Sequence, residues 1–200
     1  HDEPGFTEID SLVSKKQAWD NSEVAQSKLF FVNLRSASFV LSADGKDYDE
    51  YLDKLFNQVN PNVISVDSYP LLADGNIFTY HYRTIEACAM RAKEHNIPFY
   101  MAICSAQHDS TSGQLAMPTV ANVDWQTNLA LAYGARNISH YIYASHETDE
   151  YTCMANHLDG SPTDLFPVIE TTNQHMHAFD SLYVQYNWLG TAAIKIGRAS

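Results

Sequence analysis

Pro61-Asn62-Val63-Ile64-Ser65-Val66-Asp67-Ser68-Tyr69-Pro70 is a helix stop, a strand and a polar strand tip in one stretch. Pro61 ends the helix before it, because proline has no amide hydrogen and clashes with the preceding turn. Val63–Asp67 is a short run rich in β-branched residues, and Tyr69-Pro70 closes it. Asp67 is the one carboxylate lying directly at a predicted strand end, so it points to the rim of whatever sheet this strand joins.

The same unit recurs on both sides. Upstream, Leu29–Leu34 reads as a strand ending in polar Asn33. From Asp47 to Asn60 the residues Tyr48, Tyr51, Leu52, Leu55, Phe56 and Val59 follow the i, i+3, i+4, i+7 spacing of an amphipathic helix. Downstream, a helix is predicted from Phe78 to His95, with Ile85, Cys88, Ala89 and Ala92 on one face. A strand over Pro98–Cys104 follows, with proline at its tolerated first position. Asn122 is predicted to cap a helix from Val123 to Ala135, Ile138–Ala144 to form a fourth strand, and Thr172–Leu189 a last helix ending at Gly190. Strand starts at Leu29, Val63, Phe99 and Ile138 are 34, 36 and 39 residues apart. Strands alternating with helices at that pitch imply parallel pairing with right-handed crossovers. Both a doubly wound sheet and a (β/α)8 barrel satisfy this. No GxGxxG or GxxxxGK(S/T) loop follows any strand, which weakens the nucleotide-binding version. Polar residues gather instead at strand C-termini (Asn33 and Arg35, Asp67 and Tyr69, Gln107 and His108, Tyr143 and His146), the rim where barrels carry their chemistry.

Composition bounds the partners. Hydrophobic residues at 45% and charged residues at 18% of 200 make a core-forming chain. A formal charge of −12 argues against nucleic acid, whose phosphates need a basic face. No apolar run approaches a membrane span, and no signal peptide is visible, although a mature secreted chain also lacks its signal. Compartment therefore stays open between cytoplasm and secretion. Cys88, Cys104 and Cys153 lack CxxC spacing and read as buried small hydrophobes. His175 and His177 sit two apart on a predicted helix and point in different directions, so a shared metal is not expected. No motif calls for a cofactor.

Phe31-Val32-Asn33-Leu34, Val66-Asp67-Ser68-Tyr69-Pro70, Ile97-Pro98-Phe99-Tyr100, and Leu131-Ala132-Tyr133-Gly134-Ala135 before Ile138-Ser139-His140-Tyr141-Ile142-Tyr143 occur in one order. That order, from Asp2 to about Gly190, resembles bacterial (β/α)8-barrel glycoside hydrolase-like proteins related to the beta-galactosidases of the large retaining clan. The resemblance implies that Asp2-Glu3-Pro4 ends strand four, that Glu3 is the general acid/base, and that the four predicted strands are strands five to eight. It also implies a nucleophilic Glu at the end of strand seven. Here that strand ends in Ser105-Ala106-Gln107-His108, with no carboxylate before Asp109.

Glycoside hydrolysis needs two carboxyl groups across the scissile bond, with pKa values pushed apart by their surroundings. Glu3 and Asp67 are the catalytic candidates. Against this, Asp2 and Glu3 also suit the start of a following amphipathic helix, and Asp67 also suits the anchoring of its turn. Asn33 and Gln107 suit recognition of sugar hydroxyls, because an amide both donates and accepts. Tyr69 and Tyr143 offer a stacking face, a role that competes with ordinary core packing. Glu147, in Ser145-His146-Glu147-Thr148-Asp149-Glu150-Tyr151, is a further binding candidate in a loop that also reads as a solvated acidic turn.

Residues 1–200 are thus expected to form one partial barrel domain without its N-terminal half, paired with that half or with a second copy. Two other readings stay open: a carbohydrate-binding or scaffold protein lacking the nucleophile, and a doubly wound protein with an unrelated small ligand.

Overall fold

The structure, a computed structural model, describes residues 1–108, 115–144, 151–156 and 158–192. In chain order the first elements are α1 (Ile9–Asp20), β1 (Asn33–Leu34), α2 (Ala37–Phe39), α3 (Tyr48–Gln58), β2 (Ile64–Asp67) and α4 (Tyr80–Glu94). Then come β3 (Phe99–Cys104), β4 (Gln107–His108), α5 (Val120–Ala132), β5 (Asn137–Tyr141), β6 (Tyr151–Thr152), α6 (Leu165–His177) and α7 (Asp180–Tyr183). This is an α/β fold built on a four-stranded parallel sheet in the order β1-β2-β3-β5. The strands follow one another in sequence, without the reversal of order that a doubly wound sheet carries. β4 and β6 form a separate antiparallel pair.

Alternation along the strands separates two faces. Leu34, Ile64, Val66, Phe99, Met101 and Ile103 belong to the hydrophobic core, shared with the apolar sides of the helices. The other face carries Asn33, Ser65, Tyr100 and Asn137 in one register row. The next row holds Asp67, Ala102 and Ser139. The polar residues of strand tips therefore collect on the side away from the core.

α3 begins where the pattern places it: the Asp47 side chain accepts a hydrogen bond from the Asp49 N–H at 2.8 Å, and Tyr48, Tyr51, Leu52, Leu55 and Phe56 are buried. The face predicted for the next helix is buried too, at Ile85, Cys88, Ala89 and Ala92. All three cysteines are buried. His175 and His177 turn to different carboxylates, Asp124 and Asp180. No helix of the described residues is long and apolar enough to cross a membrane.

Three expectations need correction. Of the strand predicted over Leu29–Leu34 only Asn33–Leu34 pairs, against Ser65 and Val66 of the short β2. The helix predicted from Val123 starts at Val120, because Thr119 is the cap; Asn122 is its reciprocal partner in a capping box. The single helix predicted over Thr172–Leu189 is two helices. α6 starts at Leu165, with Pro167 in its first turn where no intrahelical donor is required. α6 ends at His177 and α7 begins at Asp180. There the Tyr183 hydroxyl donates to the carbonyls of Leu131 and Ala135, both at 2.9 Å.

Candidate carboxyl-pair site at the strand tips

The first residues of the chain lie along the β1 edge. Asp2 bridges Asn33 in parallel, and the Glu3 N–H donates to the Asn33 carbonyl at 2.8 Å. Glu3 then takes φ +43°, a left-handed conformation that costs a β-carbon-bearing residue about 1 kcal/mol or more. Its surroundings over-determine that turn. The buried Tyr51 hydroxyl donates to the Pro4 carbonyl at 2.9 Å. The Gly5 N–H donates to Glu8 Oε2 at 2.6 Å, and the Phe6 N–H to Asp44 Oδ2 at 3.1 Å. Gly5 is packed closely enough that a Cβ there would meet Arg35 Nη1 at 2.9 Å. Each residue of Asp2-Glu3-Pro4-Gly5 thus has a local reason for its position, and the half-buried Glu3 lines a cleft at the strand tips.

It meets Asp67. The two carboxyl groups lie within hydrogen-bonding reach, and burial first, then the Glu3 charge, lift the Asp67 pKa from the ordinary carboxylate range to about 7. Asp67 Oδ2 accepts from the Tyr69 hydroxyl at 3.2 Å. Burial and the adjoining Asp67 charge push the Tyr69 phenol well up, so it stays a donor. Tyr69 stacks on Tyr141 at 5.5 Å between ring centroids and meets the edge of His108 at 5.8 Å. These groups border a cleft of ≈ 250 Å³ lined by Glu3, Ser36, Phe39, Asp67, Tyr69 and His108, among others. Ser68 also lines it, with Oγ 3.0 Å from His81 Nδ1, and both residues are buried. Burial holds His81 neutral, with its pKa lowered to about 4.

The remaining candidates fall elsewhere. Asn33 accepts from Ser65 Oγ at 3.0 Å and donates to Asp2 Oδ1 at 3.1 Å, next to the pair but outside the cleft lining. Gln107 precedes His108 on β4, and it is His108 that borders the cleft. Tyr143 is exposed and lines a different cavity, with His140, Met154 and Phe166. Glu147 and Asp109 lie outside the described residues. Among those described, no group of three or more His, Cys, Asp or Glu is arranged to hold a metal ion. Sequence reading missed Tyr141, which looked like mid-strand filling, and the buried Ser68–His81 pair. The spacing of Ser68 and His81 across a loop gives no signal.

Chemically, two carboxyls in contact form one unit. Retaining and inverting glycosidases separate theirs by roughly 5 Å or more to fit the reacting carbon. Glu3 and Asp67 are too close to bracket a glycosidic bond between them.

The architecture places the chain in the α/β class with a parallel sheet. Within that class it is similar in structure to the beta-galactosidase from the psychrophilic Marinomonas ef1, with a TM-score of 0.56 at 12% sequence identity. The match covers 88% of this chain and 28% of that chain, so this chain spans under a third of that enzyme's length. No family model matches the sequence, and no curated protein matches it significantly.

Proposed function

We propose that this chain is the C-terminal half, strands five to eight, of a (β/α)8 barrel of glycoside hydrolase type. It acts on carbohydrate glycosides, with Glu3 as general acid/base. The observation that carries the reading is a cleft at the C-terminal tip of β2 lined by Glu3, Asp67 and Tyr69. In barrels that end of the strands is where chemistry sits. The sequential strand order and the likeness to a beta-galactosidase support the same reading. Tyr69, braced by stacking on Tyr141, then offers its ring to the sugar.

In this mechanism a protonated carboxyl at the strand tip gives its proton to the departing glycosidic oxygen. Asp67, half-buried beside Glu3 and raised to about 7, keeps a proton at that tip near neutral pH. Positional help from an acid is worth about 10²–10⁴ in rate. It matters most for a poor leaving group. Replacing Glu3 by Gln is therefore expected to cut hydrolysis of an alkyl β-galactoside by at least about 10²-fold, and that of a nitrophenyl galactoside much less. Equal losses on both substrates, or none, would remove Glu3 from the acid role.

A second reading has its own support. Beyond Glu3 and Asp67, no carboxylate lines the cleft among the described residues, and those two are too close to serve as acid and nucleophile. The protein is then a carbohydrate-binding module without turnover. Binding of galactosides by wild type, with no hydrolysis over days, separates this from the enzyme.

A further inference from the structure

A lone general acid at Glu3 has no need of a second carboxyl pressed against it, and burying one is costly. Asp67 Oδ1 is closed to solvent and has no hydrogen-bond donor among the described residues, while Oδ2 is held by the Tyr69 hydroxyl. The Glu3 carboxyl lies within hydrogen-bonding reach of the Asp67 carboxyl, and as an anion it has no hydrogen to give. Two ionised carboxylates in this contact repel. One proton between them converts the contact into an O–H···O⁻ bond and supplies the donor that Asp67 Oδ1 lacks.

We propose that Glu3 and Asp67 work as a single dyad holding one shared proton in the resting site, with Asp67 as the residue that positions Glu3 and stores that proton beside it. The dyad rests on the glycoside reading above and specifies its acid. When the glycosidic bond breaks, the proton passes from the pair to the departing oxygen. The water consumed in hydrolysis adds its hydroxide to the sugar carbon and returns a proton to the pair, so the site ends as it began. The rise of the Asp67 pKa to about 7 agrees with storage at neutral pH.

The titratable groups next to the pair come from several elements. Asp2 adjoins Glu3 on the first segment and adds to the negative field on Asp67. Tyr48 approaches from α3. Tyr69, on the loop after β2, donates to Asp67 Oδ2, and Cys104 at the end of β3 and Tyr141 on β5 lie against Tyr69 in turn. His108 of β4 meets Tyr69 edge-on and Tyr141 at a tilt.

Carbon-13 NMR of carboxyl-labelled protein across pH tests the dyad without turnover. In wild type the Asp67 Cγ signal is expected to inflect near pH 7. In the Glu3→Gln variant the Asp67 midpoint is expected to fall by about a pH unit or more. An Asp67 midpoint in the ordinary carboxylate range in wild type, or one unmoved by Glu3→Gln, overturns the dyad. If that variant does not fold, the same shift is read in Glu3→Ala. Turnover in the same preparation keeps the two ideas apart. Hydrolysis without the Glu3-dependent shift of Asp67 removes the dyad and leaves Glu3 as acid. That shift without hydrolysis leaves the dyad and removes the enzyme. If turnover is present, Asp67→Asn is expected to move the alkaline limb of kcat/KM to lower pH by about one unit or more, which a merely structural Asp67 would not do.

Discussion

Asp67 and His81 put opposite pH dependences into the same corner of the fold. The Asp67 carboxyl is raised to about 7 in the folded chain, so its native form binds a proton that the unfolded chain releases above about 4. Its contribution to stability is therefore full at low pH and lost as pH rises from about 4 to about 7, on the order of 2–4 kcal/mol. The His81 imidazole, lowered to about 4 by burial, works the other way. Its contribution is full above about 6.5 and lost as pH falls toward 4. Urea unfolding at stepped pH is expected to separate them. Relative to wild type, Asp67→Asn loses stability on acidification below pH 6.5, and His81→Gln gains it. If both variants track the wild-type profile, these groups are not buried as described. Asp67 was legible as a strand-end carboxylate because its run ends there. Its contact with Glu3 was not, because the two meet only through pairing of the first segment with β1. His81 carried no signal, since a single histidine on a helix face reads as packing.

Helices were legible where one face alone is buried, as in α3, and illegible where the signal was spread. α5 mixes buried Val123, Gln126 and Ala130 with small residues all round, so only its cap fixes the start, and Thr119 resembled loop. The C-terminal helices were joined in the sequence reading because Met176, Phe179, Tyr183 and Tyr186 keep a helical interval across the break. Beyond α7, Trp188 packs on Gly134, which has φ +84° and would place a Cβ 2.6 Å from Trp188 Cβ. Arg136 adds a bond to the Tyr186 carbonyl at 2.6 Å. Gly75, at φ +83° with nothing within 4 Å, is the control. Gly75→Ala is expected to cost about 1 kcal/mol, the left-handed backbone penalty. Gly134→Ala adds the clash, for a total of roughly 2–4 kcal/mol and a red shift of tryptophan emission as Trp188 detaches. Equal costs at the two sites would mean that Trp188 does not dock there.

At the scale of the molecule, the parallel α/β architecture was legible from strand spacing, since helical crossovers of about 35 residues leave few other ways to pair. The face opposite the core was not, because its residues read merely as the polar half of an alternation. Asn137 and Ser139 of β5 are exposed there, and Phe31 sits against Tyr100 with 6.5 Å between ring centroids. Edge strands and half-exposed aromatics favour association. Light scattering is expected to find a dimer or larger species, and a monodisperse monomer with a cooperative melt would contradict this. The central claim is that a sugar ring sits over the Glu3–Asp67 pair, and calorimetric titration with a basic galactose-type iminosugar tests it most directly. A cationic ring over an ionised pair should bind with release of about one proton, seen as a heat that changes with the ionisation enthalpy of the buffer. Binding with that release, weakened at least about tenfold by Glu3→Gln, is the expected result. No binding by wild type, or equal binding by the Glu3→Gln variant, would contradict it.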